Sequence, residues 1–143
     1  MSTRIPIRDR YARHYVVDAQ SGCWLWTKYL TRDGYAKAKL PKVEGDWRHG
    51  TRTVVAHRVM YEEYVGPIPE GLTLDHLCRV RHCVNPAHLE PVTAEENVMR
   101  GEGPCARNAR KTHCDHGHPL SGGNLYTYVF RGRTWRACKT CRA

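Results

Sequence analysis

Residues 75–97 read DHLCRVRHCVNPAHLEPVTAEEN, and this stretch holds a dense group of reactive side chains. Short apolar runs flank a long segment that has no hydrophobic period of its own. A loop of that length inside a compact domain needs something that organises it. Cys78, Cys83 and His88 divide the loop at equal intervals of sequence. Because Cys and His are ligands of zinc, we predict that a metal ion organises this loop.

A fourth ligand is required because structural zinc is almost always tetrahedral. Cys23 is the available thiol beside the first predicted strand, and its use would tie an N-terminal sheet to the loop. We call Cys23, Cys78, Cys83 and His88 the central cluster. Structural zinc can contribute about 10 kcal/mol or more to the folding of a small domain. The apolar runs are short and the sequence has a single Phe, which predicts a thin core that benefits from such a contribution.

A second group of ligands follows near the C-terminus, where Cys114-x3-His118 precedes Cys138-x2-Cys141. Two close pairs bridged by a predicted hairpin suit tetrahedral Zn2+, and we call these four residues the tail cluster. His116 is the alternative to His118 as the imidazole ligand. The odd number of seven Cys argues against a complete set of disulfides, and clustered Cys and His in a reducing compartment more often bind metal.

The net charge of +9 is unevenly distributed along the 143 residues. Residues 1–74 carry 12 Lys and Arg against 8 Asp and Glu, residues 75–99 carry 2 against 4, and residues 100–143 carry 9 against 2. A basic tail beside a mildly acidic centre indicates polyanion binding around a site that holds a cation. Charge alone does not separate DNA from RNA.

Neither membrane insertion nor secretion is expected from the sequence. No apolar stretch approaches the roughly 20 residues that a transmembrane helix needs. The N-terminus lacks the apolar run of a signal peptide, so we expect a cytoplasmic protein.

Composition divides the chain into four predicted regions. Residues 1–20 are polar and charged and are predicted to form an arm, and residues 21–101 form the main domain. Residues 102–112, which include the odd thiol Cys105, are predicted as a flexible basic linker. Residues 113–143 form a zinc-binding module.

Hydrophobic periodicity predicts an α+β fold built from small antiparallel sheets. Strands are predicted at 22–27, 34–40, 52–56, 72–76 and 89–92, with a C-terminal hairpin from 125–130 and 134–137. Helices are predicted at 57–65 and, after a capping box at 93–96, up to about residue 100. The stretch 41–50 is predicted as a loop.

Three predictions concern the packing of single side chains. Trp24 and Trp26 are expected in the core, whereas Trp47 and Trp135 are left open between the core and stacking on bases. Asn85 is expected to hold the central loop through hydrogen bonds to the backbone.

The pattern DH…C…C…H…N of residues 75–97 resembles the HNH endonucleases. The likeness is to the phage-encoded HNH branch and to the His-Cys box homing endonucleases. It extends to GCWLW at 22–26, AHR at 56–58 and GPIPEG at 66–71, and so covers roughly residues 20–101. The tail is similar to the zinc appendage of many phage members.

In that family the site is a ββα-metal unit, in which a strand, a loop, a second strand and a helix surround one divalent ion. The resemblance implies that His76 is the general base and that Asn97 and Asp75 hold a catalytic Mg2+ or another divalent ion. Some His-Cys box members lack an acid at the position of Asp75. The resemblance also implies structural zinc on the central cluster. A rival assignment makes His88 a catalytic metal ligand, and we disfavour it because the zinc set would lose its imidazole.

Hydrolysis of a phosphodiester bond fits these residue types. A His with a pKa near ~6.5 can take a proton from water at neutral pH. Carboxylate and amide oxygens suit Mg2+, which can act as Lewis acid and template at the phosphate. An Arg near the phosphate would stabilise developing charge, and Arg58 is the candidate, with Arg52 as the alternative.

The sequence therefore favours a metal-dependent endonuclease that nicks or cleaves double-stranded DNA in a bacterial or phage-infected cytosol. Any reading of DNA sequence is expected from the strands near 34–40 and 51–55. Cleavage of both strands needs two sites, and the resemblance allows a homodimer. The competing hypothesis is a non-enzymatic zinc protein that binds nucleic acid or assists DNA packaging. Such a protein would have no need of Asp75, His76 and Asn97 together.

Overall fold

The computed structural model describes residues 5–43 and 46–143, and for residues 43 and 46–49 it describes the backbone alone. The strands are β1 (Tyr15–Val17), β2 (Trp24–Trp26), β3 (Lys37–Val43), β4 (Asp46–Val55), β5 (Thr73–His76), β6 (Leu89–Val92), β7 (Leu125–Phe130) and β8 (Arg133–Cys138). The helices are α1 (Ile7–Tyr11), α2 (Ala56–Tyr64), α3 (Ala94–Arg100), α4 (Pro104–Arg110) and α5 (Lys139–Arg142). Consecutive strands pair into two-stranded antiparallel sheets. This mixture of helices and small sheets agrees with the predicted class.

The chain divides into two compact units, Met1–Ala94 and Glu95–Ala143. The division lies before the boundary predicted after residue 101. Residues 102–112, predicted as a flexible linker, instead contain α4. Pro104 suits the first turn of a helix, and Ala106 is fully buried. The composition of this segment misled the prediction because a helix of seven residues is stabilised by its packing more than by its local propensity.

Three residues of the region predicted as an N-terminal arm, Ile7, Tyr11 and Tyr15, belong to or pack against the core of the first unit. Residues 1–4 lie outside the described part, but α1 places Tyr11 in the core, where its hydroxyl donates to the carbonyl oxygen of Lys39. Tyr15 begins β1 and stacks on Trp24 with ring centroids 4.8 Å apart. The many charges of this region conceal an apolar face at Ile7 and Tyr11, which are four residues apart.

A long ribbon of β3 and β4 occupies residues 41–43 and 46–50 of the loop predicted at 41–50, and residues 44 and 45 lie outside the described part. The strands pair from Lys37 with Val55 to Val43 with Asp46, and the register shifts between Pro41 and Val43. Pro41 is a strand breaker in a central strand, but in a two-stranded ribbon each strand has an open edge that tolerates it. The side chain of Trp47 lies outside the described residues.

The core of the first unit packs this ribbon and β2 against α2. It is formed by Tyr11, Trp26, Ala36, Ala38, Ala56, Val59, Met60 and Val84. Trp26 is buried and Trp24 packs against the same cluster, which confirms the prediction for both. The predicted helix at 57–65 and the predicted strands at 72–76 and 89–92 correspond to α2, β5 and β6.

Strands β5 and β6 flank the central loop and pair with each other, with His76 opposite Leu89. Leu74 and Leu89 pack on Tyr61 of α2, and this small apolar cluster holds the sheet against the helix. The end of β5, where His76 lies, is therefore set beside the first turn of α2. No helix within residues 5–43 and 46–143 is long and apolar enough to cross a membrane.

Candidate active site and metal centres

The four side chains of the central cluster converge although 65 residues of sequence separate Cys23 from His88. Their ligand atoms all lie within 4.8 Å of one another. Nδ1 of His88 is 3.5 Å from Sγ of Cys23 and 3.6 Å from Sγ of Cys83. Tetrahedral zinc, with bonds of about 2.1–2.3 Å, requires ligand atoms roughly 3.5–3.8 Å apart. The set therefore fits a zinc ion that His88 would bind through Nδ1.

Backbone hydrogen bonds give the central loop its shape. The amide of Leu77 donates to the carbonyl oxygen of His88 over 2.9 Å, which closes the loop at its base. The loop also pairs with β2, since the amide of Trp26 donates to His82 over 3.0 Å and the amide of Val84 donates to Trp24 over 2.9 Å. These bonds bring the sulfur of Cys83 to that of Cys23.

Asn85 joins the loop to the N-terminal part of the unit. Its side-chain amide donates to the carbonyl oxygen of Gly22 over 2.8 Å, and its Oδ1 accepts from the amide of Ala87 over 3.0 Å. Gly22 has a φ of +69°, a conformation that favours glycine, and it leads directly into Cys23. The predicted role of Asn85 in holding the loop is confirmed.

The thiols of the central cluster are strongly sequestered. Cys23 and Cys83 are fully buried. Burial raises the pKa of the Cys83 thiol to about 12. A buried thiol stays protonated unless a cation compensates its charge, so this donor set suits a metal dication that displaces the protons.

The tail cluster has the same composition of three Cys and one His. Nδ1 of His118 lies 3.5 Å from the sulfur of Cys114, 3.7 Å from that of Cys138 and 3.3 Å from that of Cys141. The sulfurs of Cys114 and Cys141 are 3.6 Å apart. These separations also match the edges of a zinc tetrahedron.

The geometry of the tail favours His118 over its alternative. His116 approaches Cys141 with its Nδ1 at 3.4 Å, whereas His118 meets all three sulfurs. Asn124 supports Cys138 by donating to its sulfur over 3.3 Å. The remaining thiol, Cys105, is exposed on α4, outside both clusters.

His76 ends β5 and is only 7% exposed. Its Nε2 lies 3.1 Å from the carbonyl oxygen of Cys83. A carbonyl oxygen can only accept, so Nε2 carries the proton and Nδ1 is the basic nitrogen of the ring. Burial lowers the pKa of His76 and outweighs the opposing effects of the Cys83 carbonyl and of Asp75. The ring is therefore held as a neutral base with a defined tautomer.

Two aromatic side chains that the sequence did not connect with His76 surround it. The ring of His57, on the first turn of α2, contacts His76 edge to face, with centroids 4.6 Å apart. The ring of Tyr35 lies 6.2 Å from His76 and 6.1 Å from His57. His57 stands in the AHR motif at 56–58, but only the fold shows what it touches.

His57 is itself an unusual group. It is 7% exposed, and within the described residues its Nδ1 has no hydrogen-bond partner. Burial, followed by His76, Arg58 and Lys37, lowers the pKa of His57 to about 3. A neutral His57 supports the neighbouring base without adding a positive charge beside it.

Asp75 is buried and forms an ion pair with a residue of the central loop. Nη1 of Arg79 donates to Oδ1 of Asp75 over 2.7 Å, and the two side chains are 52% and 3% exposed. Arg79 adopts a φ of +61°, which turns the chain sharply after His76. The carboxylate predicted as a metal ligand is thus already in contact with a cation.

Two arginines lie near this site, and a third, Arg52, is the alternative that the sequence offered. Arg58 is exposed on the first turn of α2, directly after His57, and Arg52 is exposed on β4. Arg81 was not singled out from the sequence. Its guanidinium lies 5.6 Å from the centroid of the Tyr35 ring and donates to the carbonyl oxygen of Asp33 over 2.9 Å. Arg81 is thereby held in place near His76.

Asn97 lies within α3, which begins two residues after β6 and matches the predicted bounds. It belongs to the second unit. Its role as a ligand of a catalytic metal stays a prediction.

Comparison with known proteins supplies the remaining evidence. The family described as HNH endonuclease matches residues 54–99, which include Asp75, His76 and Asn97. "Uncharacterized gene 5.3 protein" of Enterobacteria phage T3 is 31% identical over 82 residues, which cover 56% of this chain and 77% of the relative. "Protein 7.7" of Escherichia phage T7 is 33% identical over 75 residues, 52% of this chain and 51% of the relative, so the chain spans about half of that protein.

No solved structure matches the chain significantly. The family match lies on the segment that carries the buried His76 and most of the central cluster, and the T3 relative is covered over most of its length. The chain belongs to the HNH endonuclease family.

Proposed function

We propose that the protein is a metal-dependent endonuclease that hydrolyses phosphodiester bonds in duplex DNA, with His76 as the general base. The observation that carries this proposal is the hydrogen bond from Nε2 of His76 to the carbonyl oxygen of Cys83. Because that bond fixes the proton on Nε2, Nδ1 is ready to take a proton from the attacking water. The contact with His57 holds the plane of the ring.

Asp75 and Asn97 would hold the catalytic Mg2+, since a carboxylate and an amide carbonyl are the oxygen ligands that this ion prefers. When bound, the ion supplies Lewis acidity at the phosphate and stabilises the leaving oxygen. Arg79 must share Asp75 with the ion or move aside, and its half-exposed side chain has room to do so. Arg79 therefore competes with the metal for the carboxylate.

Arg58 and Arg81 would bind the substrate phosphates. Both are exposed. Arg58 directly follows His57 in the chain. Arg81 lies over the ring of Tyr35, which in turn lies beside His76. Guanidinium groups pair well with phosphate oxygens and stabilise charge that develops on them.

A basic cavity of about 700 Å³ supports the assignment of DNA as the substrate. It lies beside α1 and the β3–β4 ribbon, and its lining includes Arg10, Lys28, Lys37 and Lys39. Among the described residues, no acidic side chain lines it. Phosphate contacts of this kind supply most of the salt-sensitive affinity of proteins for duplex DNA.

Both Cys/His clusters would bind structural Zn2+. Each offers four protein ligands, which leaves no open coordination position, and closed sites of this kind are structural. The central zinc would hold the carbonyl of Cys83 that orients His76, so it serves the reaction without taking part in it.

One His76 site attacks one strand. A single protein bound to DNA would therefore nick, and cleavage of both strands would need a homodimer or a second binding event. The two phage relatives are consistent with action in the cytosol of an infected bacterium.

The test is incubation of supercoiled plasmid with Mg2+ and the wild type, His76→Ala or His113→Ala. His113 is exposed and lies outside the site, so His113→Ala is the matched control. We expect nicking by the wild type and the control and its loss in His76→Ala, with zinc content and DNA binding unchanged. Equal activity of His76→Ala would refute the assignment of the base. DNA binding without cleavage under any divalent metal would favour the non-enzymatic binding protein.

A further inference from the structure

The β7–β8 hairpin presents a row of aromatic rings on one face. Successive side chains of a strand alternate between faces, so Tyr126, Tyr128 and Phe130 share one face of β7. The register places Trp135 of β8 directly opposite Tyr128. These four residues are 37%, 39%, 55% and 46% exposed in chain order, and we call them the aromatic face.

The opposite face of the hairpin carries the contacts that anchor it within the second unit, while Val129 on the same face is 71% exposed. Cys138 is buried there in the tail cluster. Arg136 extends from this side and donates to the carbonyl oxygens of Asn108 and Ala109 on α4, over 3.2 Å and 2.8 Å. The aromatic face lies on the side away from these anchoring contacts, and its four rings are 37–55% exposed. Large exposed apolar patches of this kind mark interaction sites.

Arginine side chains lie over the aromatic face. The guanidinium of Arg142 is 4.8 Å from the ring centroid of Tyr126 and 5.5 Å from that of Tyr128, and that of Arg131 is 5.3 Å from the centroid of Phe130. Residues 113–143 contain five Lys and Arg and a single acid, Asp115. The rings therefore supply apolar stacking surfaces, and the arginines around them supply positive charge.

This combination selects the chemistry of the partner. An apolar protein surface would have to desolvate the guanidinium groups without compensation. A nucleic-acid strand offers bases that stack on the rings and phosphates that pair with the arginines. In a duplex the faces of the bases are already stacked, so the rings are complementary to unpaired bases.

The hairpin is well suited to act as a rigid platform. The tail cluster holds the end of β8 through Cys138, and Asn124 beside the start of β7 bonds to the same sulfur and to the amide of Thr140. A surface that is ordered before binding loses less conformational entropy when its partner binds.

We propose that the aromatic face binds single-stranded DNA, with bases stacked on Tyr126, Tyr128 and Trp135 and phosphates paired with Arg131, Arg133 and Arg142. The choice of DNA over RNA rests on the proposed function, whereas the stacking surface does not. Such a platform would hold an unpaired strand beside a nick or in a partly opened substrate.

The test measures the affinity of the zinc-loaded full chain for a labelled oligothymidylate of about 16 nucleotides, the upper site size of a single-strand-binding fold, by fluorescence anisotropy without Mg2+. Tyr128→Ala and Trp135→Ala should each weaken binding by about tenfold, the loss expected from removing one stacked base. Tyr128→Phe, which keeps the ring, should bind like the wild type. Thr127→Ala, on the opposite face, is the matched control, and zinc content verifies the fold of each variant.

The proposal is overturned if Tyr128→Ala and Trp135→Ala bind the oligothymidylate as tightly as the wild type, or if Thr127→Ala loses as much affinity. It is also overturned if an oligouridylate of equal length binds more tightly than the DNA strand. Because His76→Ala should bind the oligothymidylate normally, failure of this platform and failure of the nuclease assignment are separate results.

Discussion

The central cluster and the tail cluster share one set of ligands, three Cys and one His, but they differ in how the chain surrounds them. In the central cluster Cys23 and Cys83 are fully buried, and the ligands come from the residue before β2 and from the loop between β5 and β6. In the tail cluster Cys141 is exposed, and all the ligands lie within one short stretch of the second unit.

Identical donor sets can therefore have different structural consequences. The loop of the central cluster also contains the carbonyl that orients His76 and the arginine that pairs with Asp75. Loss of its metal would remove both the core and the catalytic geometry. The tail cluster holds a hairpin, and loss of its metal would affect binding more than catalysis.

Replacement of Cys83 by serine should have the largest effect. Structural zinc contributes about 10 kcal/mol or more, which is comparable with the entire stability of a small domain. We expect Cys83→Ser to lose one zinc, the cooperative unfolding transition of the first unit and all nicking of plasmid. Thermal unfolding and metal analysis measure this, with Cys105→Ser as the control because that thiol is exposed and outside both clusters. Retention of the metal and of activity by Cys83→Ser would contradict the dependence of the first unit on the central cluster.

Cys138→Ser should affect only the second unit. We expect it to lose the other zinc and become sensitive to protease within residues 113–143, while the unfolding transition of the first unit is kept. Nicking at low salt should persist with weaker DNA binding, because the basic tail contributes to affinity for phosphates. If Cys138→Ser unfolds the first unit as Cys83→Ser does, the two clusters are not independent.

Asn85→Ala should weaken the central cluster without removing a ligand. The change deletes the bond to Gly22 and the cap on Ala87, which together are expected to stabilise the folded state by about 1–2 kcal/mol. The weaker central cluster would appear as a lower melting temperature and as faster loss of zinc to a chelator. Asn108→Ala, on exposed α4, is the control. An unchanged melting temperature would mean that the zinc alone shapes the loop.

Arg79→Asn should have the smallest effect, and it tests whether Arg79 of the central loop competes with Mg2+ for Asp75. Asparagine tolerates the φ of +61° and removes the cation that pairs with Asp75. Half-maximal nicking should then require up to about fivefold less Mg2+, the equivalent of the ~1 kcal/mol expected for a half-exposed ion pair. Asp75→Asn should shift the requirement in the opposite direction. Identical Mg2+ dependence of Arg79→Asn and the wild type would exclude competition for the carboxylate.

Much of the local structure and both ligand sets could be predicted from the sequence. The period of the apolar residues indicated α2, β5, β6 and the C-terminal hairpin because side chains repeat with the geometry of each element. The close pairs of Cys and His indicated the tail cluster because neighbouring ligands need little folding to meet. The predictions of a flexible linker at 102–112 and of a loop at 41–50 were wrong, because composition does not show what a segment packs against.

The residues that can bind metal, and the His76 that follows Asp75, are evident from residue type and spacing, which carry that chemistry. In contrast, the contact of His57 with His76, the ion pair of Arg79 with Asp75 and the burial of Tyr11 in the core arise from tertiary packing. The physical reason is that these contacts depend on how separate elements pack and on one backbone turn after His76. Neither is recorded in a local pattern of residues.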